Sequence, residues 1–377
     1  MVEVLLLVGI AVALFVGFNI GGSTTGPAFG PAVGANAISK TVAAALMSGF
    51  FFVGAWTLGR RVVATLGSEL VTDPGVFTIE SSIVVLFFIG GALFVGNYFG
   101  VPASTSMTAV GAIAGLGVAS GALDWTVMGE IAVWWIVAPV IGFWTSAVIG
   151  RYWYPRIDAW VAIESSPGAL FEVNRDGLIP RPAAGPNTTR RELTGGVVVV
   201  AIGCLMAFSS GTSNIANAIA PLVGAGAVGA FTIARRTLDT LGNDITDLPL
   251  TAAIIVAVVS STIVVGLSAI GIPASFVIIA TTSIVGLGWG RATRTATVSG
   301  AVQGEESPAV SVGALAAENP DGEPAAIGEE SREDIPSAAD LFDPETTGRV
   351  LAMQNVVPVL ATAGAYGTFF VLYAVWW

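Results

Sequence analysis

Nine long apolar stretches restrict this chain to folds that lie in a lipid bilayer. The sequence is 54% hydrophobic and 11% charged, with a mean hydropathy of +0.80. A soluble core built from 377 residues cannot bury that much apolar surface. A helix of roughly 20 apolar residues crosses the hydrocarbon layer and satisfies its own backbone hydrogen bonds there. The predicted membrane segments are residues 2–20, 41–59, 79–99, 101–122, 125–149, 195–208, 250–271, 272–290 and 351–377.

An internal repeat divides the chain into two similar halves. Small residues, Pro and polar side chains interrupt an apolar stretch once in each half, which is typical of helices that break in mid-membrane at a transport site. The first half contains five of the nine predicted segments, and a second copy that follows an odd number of crossings is inverted relative to the first. We therefore predict an all-α integral membrane protein of two inverted-topology repeats with broken or re-entrant helices. The repeated landmarks are 21–34 with 211–224, 60–61 with 235–236, and 100–104 with 271–275.

The order of apolar and polar stretches predicts five regions. Six Arg residues in the first polar stretch place it in the cytoplasm. The second is rich in Gly, Pro, Ser and acids, and we expect disorder because it has few large apolar residues. The regions are transmembrane repeat 1 (1–149), a cytoplasmic linker (150–193), transmembrane repeat 2 (194–297), an acidic disordered cytoplasmic loop (298–348) and the final transmembrane helix of repeat 2 (349–377).

Charge and composition exclude several classes of function. The formal net charge is −11, which excludes nucleic acid as a partner and suits a protein of a salt-loving microbe. There is no His, and Cys204 is the single cysteine, so a His-based catalytic dyad, a metal-ligand cluster and a disulfide are not expected. We therefore expect no enzyme activity and no cofactor. Arg60 and Arg61 form the first of the two repeated Arg pairs. We expect them to bind carbonyl groups at helix C-termini rather than to steer substrate.

The chain resembles the inorganic phosphate transporter (PiT) family, as a divergent member of haloarchaeal type. Each half of that family carries a pattern close to Gly-Ala-Asn-Asp-x-Ala-Asn-Ala, which Gly211–Ala218 follows closely and residues 21–28 follow loosely. A second family signature, Pro-Val-Ser-Thr-Thr-His, corresponds to Pro102–Met107 and, in degenerate form, to Pro273–Ile278. The resemblance implies phosphate as substrate, a multi-pass location in the cell membrane and a possible homodimer.

The departures from the family pattern concern its charged groups. Where the family has Asn-Asp, this chain has Ser-Thr in one half and Ser-Asn in the other, and the His positions hold Met107 and Ile278. Hydrogen phosphate carries an O–H that a carboxylate can accept, whereas sulfate has none, so losing the carboxylates removes a filter against sulfate. The predicted substrate-binding residues are Ser23, Thr24, Ser104, Thr105, Ser106, Ser213, Asn214, Asn217 and Ser275.

These residues allow more than one function. Our first expectation is transport of inorganic phosphate across the cytoplasmic membrane by alternating access, with Na⁺ as the coupling ion. A permease for sulfate or another oxyanion is the alternative, and a non-transporting oxyanion sensor is a second one. A channel fits two inverted copies less well. Each hydroxyl also has a purely structural explanation, because Ser and Thr in membrane helices often bond back to their own backbone.

Overall fold

Long α-helices make up almost all of the described chain. They are labelled α1 to α11, with one short β-hairpin between α7 and α8. The computed structural model describes residues 2–34, 37–100, 103–161, 171–174, 181–184, 190–218, 249–295 and 344–376, together with Leu315 and Ile327. The helices are α1 (Val2–Gly34), α2 (Lys40–Trp56), α3 (Gly59–Ala64), α4 (Ile79–Tyr98), α5 (Thr105–Ala119), α6 (Trp125–Tyr152), α7 (Tyr154–Val161), α8 (Arg190–Ala218), α9 (Leu250–Ala269), α10 (Phe276–Ala292) and α11 (Pro344–Trp376).

Six helices of the described residues are long and apolar enough to cross a membrane. A seventh crossing is obtained if α2 and the segment Gly59–Glu69, which meet at a bend of 61°, are taken as one span. These helices fall on the apolar stretches of the sequence, so the prediction of a multi-pass helical protein is confirmed. The stretch 101–122 differs, because α5 has only 15 residues and is about 22 Å long, short of the roughly 30 Å hydrocarbon layer.

The predicted helix break in the first motif is wrong. The helix α1 runs for 33 residues through residues 21–34 without interruption, and α8 continues through the second motif to Ala218. A continuous helix keeps backbone groups bonded where lipid offers no partner, and Pro27 removes only one N–H donor. Residues 219–248, which include the rest of the second motif and the second Arg pair, lie outside the described residues.

The interruptions lie instead before α5 and α10, at the second pair of signatures. Gly100 and Gly271 each have a positive φ, of 71° and 83°, which permits the sharp turn that ends the preceding helix. A serine then begins each new helix. The Ser104 hydroxyl accepts the Met107 N–H at 3.3 Å, and the Ser275 hydroxyl accepts the Ile278 N–H at 3.4 Å.

The helix that follows each interruption packs on a helix of the other half. The helix α5 of the first half packs on α11 of the second, and α10 of the second half packs on α6 of the first. Both contacts are close: a Cβ added at Gly111 would lie 2.2 Å from the Thr362 hydroxyl, and one at Gly286 would lie 2.1 Å from the Phe143 carbonyl. This exchange of packing partners between the halves brings the starts of α5 and α10 to the same region of the molecule.

One Arg of the first pair connects the halves at a helix end. A guanidinium nitrogen of Arg61 donates to the carbonyl of Ala269, the last residue of α9, which confirms the capping prediction for this residue. The guanidinium of Arg60 lies 4.2 Å from the ring centroid of Trp56 instead.

The predicted cytoplasmic linker, residues 150–193, contains secondary structure. Its described part includes the end of α6, the helix α7 and the two antiparallel strands Phe171–Asn174 and Arg181–Ala184. Of the predicted acidic loop, the structure describes Leu315, Ile327 and the first residues of α11. The Tyr154 hydroxyl donates to the Leu315 carbonyl at 2.9 Å, and both side chains are buried. The disorder prediction for the remainder lies outside the described residues.

Candidate functional site

Three segments meet at one buried polar cluster: the end of α8, the start of α5 and the turn before α10. The Thr105 hydroxyl donates to the side-chain oxygen of Asn214. The Ser106 hydroxyl lies 3.3 Å from that oxygen and 3.0 Å from the Ser213 hydroxyl. All four side chains are buried, and the first two belong to the other half of the chain from the last two. The fold therefore joins two predicted motifs that are separated by about a hundred residues.

The backbone of Ala274 completes the cluster. The Ser213 hydroxyl donates to the Ala274 carbonyl at 2.7 Å and accepts the Ala274 N–H at 3.2 Å. The Ser106 hydroxyl lies 2.9 Å from the same carbonyl. One residue earlier, the Pro273 carbonyl accepts the indole N–H of Trp135 at 3.0 Å. The turn before α10 is thus held by α5, α6 and α8 together, which fixes its position relative to the hydroxyls.

Amide and hydroxyl groups on α8 form a row one helical turn apart. The Asn217 amide donates to the Asn214 side-chain oxygen at 3.1 Å, and the Asn214 amide donates to the Ser210 hydroxyl at 3.0 Å. The side-chain oxygen of Asn217 is fully buried and has no hydrogen-bond partner within the described part of the chain. A buried acceptor left unpaired costs about 1–3 kcal/mol, so this oxygen is a strong candidate for contact with a ligand.

A small pocket adjoins the cluster. Ser104 and Ser275 line it as the caps of α5 and α10, so the first N–H groups of both helices lie around it. Such N–H groups have no partner within the helix and carry a partial positive charge. None of the described lining residues is ionisable. They are Thr24, Ala28, Ala103, Ser104, Thr105, Met206, Ser210, Asn214, Ser275, Phe276 and Val277.

The two residues predicted from the first motif contribute less to this region. Thr24 lines the pocket, but its hydroxyl donates to the Ile20 carbonyl of its own helix at 2.8 Å. Ser23 lies in α1, and its side chain is outside what the structure describes. The structure therefore brings together seven of the nine predicted residues at the cluster or as caps of its pocket, and it adds Thr24 to the pocket wall.

Two participants were missing from the sequence prediction. Ser210 accepts from Asn214 and lines the pocket, and Ala274 contributes only backbone atoms. The position of Ser210, four residues before Asn214 and hence on the same helix face, was the available signal. No sequence pattern identifies a backbone carbonyl such as that of Ala274 as part of a site.

The two positions at which the family has His lie in a neighbouring pocket. Met107 and Ile278 both line it, against Trp134 and Trp135 of α6. The residues that replaced His are thus brought together from the two halves in apolar surroundings. The described residues also contain no group of three or more His, Cys, Asp or Glu side chains that could hold a metal ion.

The sequence profile of the phosphate transporter family matches residues 20–314, which is most of the chain. The chain belongs to the phosphate transporter family. Its fold agrees with a solved structure, that of the sodium-dependent phosphate transporter, with a TM-score of 0.66, coverage of 99% of this chain and 100% of the other, and 16% identity. The protein is therefore a multi-pass transporter-family protein of the plasma membrane.

Its relatives carry the names of two kinds of permease. The chain is 30% identical to the sulfate permease CysP of Bacillus subtilis over 301 residues, covering 75% of this chain and 77% of the relative. It is 24% identical over 337 residues to TK2061 of Thermococcus kodakarensis, named as a candidate phosphate permease, covering 69% and 82%. Similar proteins thus occur in bacteria and archaea.

Proposed function

We propose that this protein moves an inorganic tetrahedral oxyanion across the plasma membrane by alternating access, with sulfate as the first candidate substrate. The observation that carries the proposal is the polar cluster of Thr105, Ser106, Ser213, Asn214 and Asn217, which is buried and built without a carboxylate. An anion entering between α5 and α8 would take the hydroxyl protons that now go to Asn214 and Ala274. The neutral pocket wall would not repel it.

Helix ends supply the second part of the argument. The starts of α5 and α10 both lie at the pocket, and their N–H groups favour negative charge. Sulfate needs donors only, because it carries no proton at neutral pH and has nothing to donate. The combination of hydroxyls, an amide and two helix starts offers donors without a competing negative charge.

Acceptors separate the two candidate substrates. The Asn214 oxygen keeps the Asn217 amide when the Thr105 and Ser106 hydroxyls turn to an anion, and as a neutral oxygen it accepts the O–H of hydrogen phosphate more weakly than a carboxylate does. The resemblance to the family ranks phosphate first, and the lack of a carboxylate acceptor together with the sulfate permease relative reverses that order. Phosphate remains the second candidate because the unpaired oxygen of Asn217 could accept its proton.

The same cluster supports cation coupling. Na⁺ requires oxygen ligands. The side-chain oxygen of Asn217 has no partner among the described residues, and the oxygens of Asn214 and Ala274 become available once an anion takes the hydroxyl protons that they now accept. The similar fold of a sodium-dependent transporter adds to the case for Na⁺. We therefore propose Na⁺ as the coupling ion. A homodimer stays a prediction that rests on the family resemblance.

The repetition of one signature in both halves supports the proposal of alternating access. The equivalent signatures begin α5 and α10 with the same glycine turn and the same serine cap. Each of these helices packs on a helix of the other half. Two copies related in this way can exchange roles as the protein opens to one side and then to the other.

Uptake into proteoliposomes tests the proposal. Radiolabelled sulfate and phosphate are each offered with and without a Na⁺ gradient, and we expect saturable, Na⁺-stimulated sulfate uptake that unlabelled phosphate inhibits weakly. Counterflow of labelled against unlabelled anion would separate transport from sensing. Phosphate uptake that sulfate does not inhibit would reverse the order of the candidates. Absence of transport for both anions, despite binding, would favour the sensor alternative.

The variant Asn214→Asp tests the role of charge. It places a carboxylate where the Thr105 and Ser106 hydroxyls can still donate, and we expect sulfate uptake to fall about tenfold or more, equivalent to about 1.4 kcal/mol, through like-charge repulsion. Relative uptake of phosphate should rise. Thr41→Asp, at an exposed position in the first turn of α2, is the control for an added charge. Equal loss of both anions in Asn214→Asp would show damage to the fold instead of a change in selectivity.

A further inference from the structure

An apolar groove runs along the outside of the bundle, away from the polar cluster. It lies between the end of α6, the start of α7 and one face of α9, and it is open towards the outside of the bundle. The lining is apolar apart from one Arg and the indole of one Trp. The residues that line it are Ile149, Trp153, Arg156, Ile157, Ile254, Ile255, Val258 and Val259.

Two ridges with helical spacing form the walls of this groove. Ile149, Trp153 and Ile157 follow one another at intervals of four residues, and Ile254 and Val258 do the same on α9. Ridges of this kind leave a channel that runs along the helices, which suits a straight hydrocarbon chain. The floor is firm, because Ile255 and Val259 are buried against the core around Tyr154.

The charged end of the groove lies at the membrane boundary. The helix α6 crosses the membrane up to Tyr152, and the exposed aromatic rings of Tyr152 and Trp153 are typical of the interface with water. Arg156 is exposed at the same end and is the one charged residue among the described residues that line the groove. A guanidinium group binds phosphate oxygens with paired hydrogen bonds.

We propose that this groove binds one anionic phospholipid, with an acyl chain between the two ridges and the headgroup phosphate at Arg156. The apolar walls take the hydrocarbon that a membrane always offers. Selectivity for an anionic headgroup comes from Arg156, because the lining holds no acidic side chain among the described residues and a zwitterionic headgroup brings its own positive charge. The proposal concerns a surface apart from the transport site and does not depend on which anion is carried.

Quenching of Trp fluorescence by brominated lipid tests this proposal, since Trp153 lines the groove. The purified full-length chain in detergent is titrated with brominated phosphatidylglycerol and, separately, brominated phosphatidylcholine. The chain has 10 Trp residues, so the signal of Trp153 is obtained as the difference between the wild type and Trp153→Phe. We expect phosphatidylglycerol to quench this signal at about fivefold lower concentration than phosphatidylcholine, the preference expected from one Arg at a membrane surface. High salt should reduce that preference.

Two variants separate the headgroup contact from the groove. Arg156→Gln should abolish the preference and keep the quenching, and Val258→Phe should fill the channel and weaken quenching by both lipids. Arg60→Gln is the matched control, because Arg60 is also exposed and lies beside a Trp but does not line this groove. Equal quenching by both lipids in the wild type, or an unchanged preference in Arg156→Gln, would overturn the proposal. Because Arg156 is exposed, its variant decides the matter even if Val258→Phe does not fold.

Discussion

Two serines on α8 lie one helical turn apart, and we expect replacement by Ala to lower the stability of the protein at one of them and not at the other. Ser213 and Ser209 are both buried, with exposed fractions of 1% and 0%. The Ser213 hydroxyl bonds both backbone groups of Ala274, whereas the Ser209 hydroxyl has no partner within the described part of the chain. Replacing each by Ala removes one oxygen from similar surroundings. The pair therefore isolates the contribution of the hydrogen bonds.

The hydrogen bonds of Ser213 set the magnitude. In Ser213→Ala, the Ala274 N–H loses its acceptor at 3.2 Å, and a buried donor without a partner costs about 1–3 kcal/mol. The Ala274 carbonyl keeps the Ser106 hydroxyl at 2.9 Å, so no second large penalty arises there. We expect a loss of about 2 kcal/mol in the free energy of unfolding, a factor of about 30 in the equilibrium constant. Ser209→Ala removes an unpaired polar atom and should be neutral or slightly stabilising.

Unfolding of both variants in mixed micelles, titrated with a denaturing detergent, measures this difference. A second measurement records the thermal stabilisation produced by added sulfate, which reports ligand bound to the native state. We expect Ser213→Ala to lose most of that stabilisation and Ser209→Ala to retain it. Equal stability of the two variants would refute the importance of the contact with Ala274. A destabilised Ser213→Ala that keeps its full response to sulfate would confine Ser213 to a structural role.

Three further predictions concern helix packing, capping and pH. A Cβ at Gly211 would lie 2.1 Å from the Phe51 carbonyl, so Gly211→Ala should abolish the folded protein in size-exclusion chromatography, whereas Gly49→Ala, with open space around it, should fold normally. Arg61→Ala removes the contact with the Ala269 carbonyl and should lower stability by about 0.5 kcal/mol in the same micelle titration, a loss that high salt should mask. Initial rates of sulfate uptake should vary little between about pH 6 and 8 at fixed Na⁺, because the described pocket lining has no ionisable side chain; a steep profile would reveal a titrating group elsewhere.

The membrane segments could be predicted from the sequence because their signal is long and uniform. Hydropathy placed α4, α6, α9 and α10 within a few residues of their observed bounds. The failure at residues 21–34 has a physical cause: Gly and Pro permit a break but do not require one. Where lipid provides no partner for the freed backbone groups, a continuous helix such as α1 is the lower-energy choice.

The contacts between individual residues of the site could not be predicted from the sequence. The motif predicted that Ser106 and Ser213 bind the same ligand, but nothing in the order of residues indicates that both reach the Ala274 carbonyl. That contact depends on the exchange of α5 and α10 between the halves, which is a property of the tertiary fold. The sequence also could not show which hydrogen bond Thr24 makes, because its hydroxyl could donate either to a ligand or to a carbonyl of its own helix.

The polar chemistry of the site is distributed unevenly over the four motifs. At the start of α5 the cap is followed by two hydroxyl residues, Thr105 and Ser106, whereas at the equivalent start of α10 it is followed by Phe276 and Val277. The two other motifs also differ from each other: the motif on α8 has the amide side chains of Asn214 and Asn217, whereas the Thr24 hydroxyl in the motif on α1 donates to the backbone of its own helix. One polar motif therefore survives from each half, and the exchange of helices places these two against each other. If the protein carries the anion as proposed, we expect the side chains at the α5–α8 contact to determine its selectivity, and substitutions of side chains in the α1 and α10 motifs to alter the conformational change more than the choice of substrate.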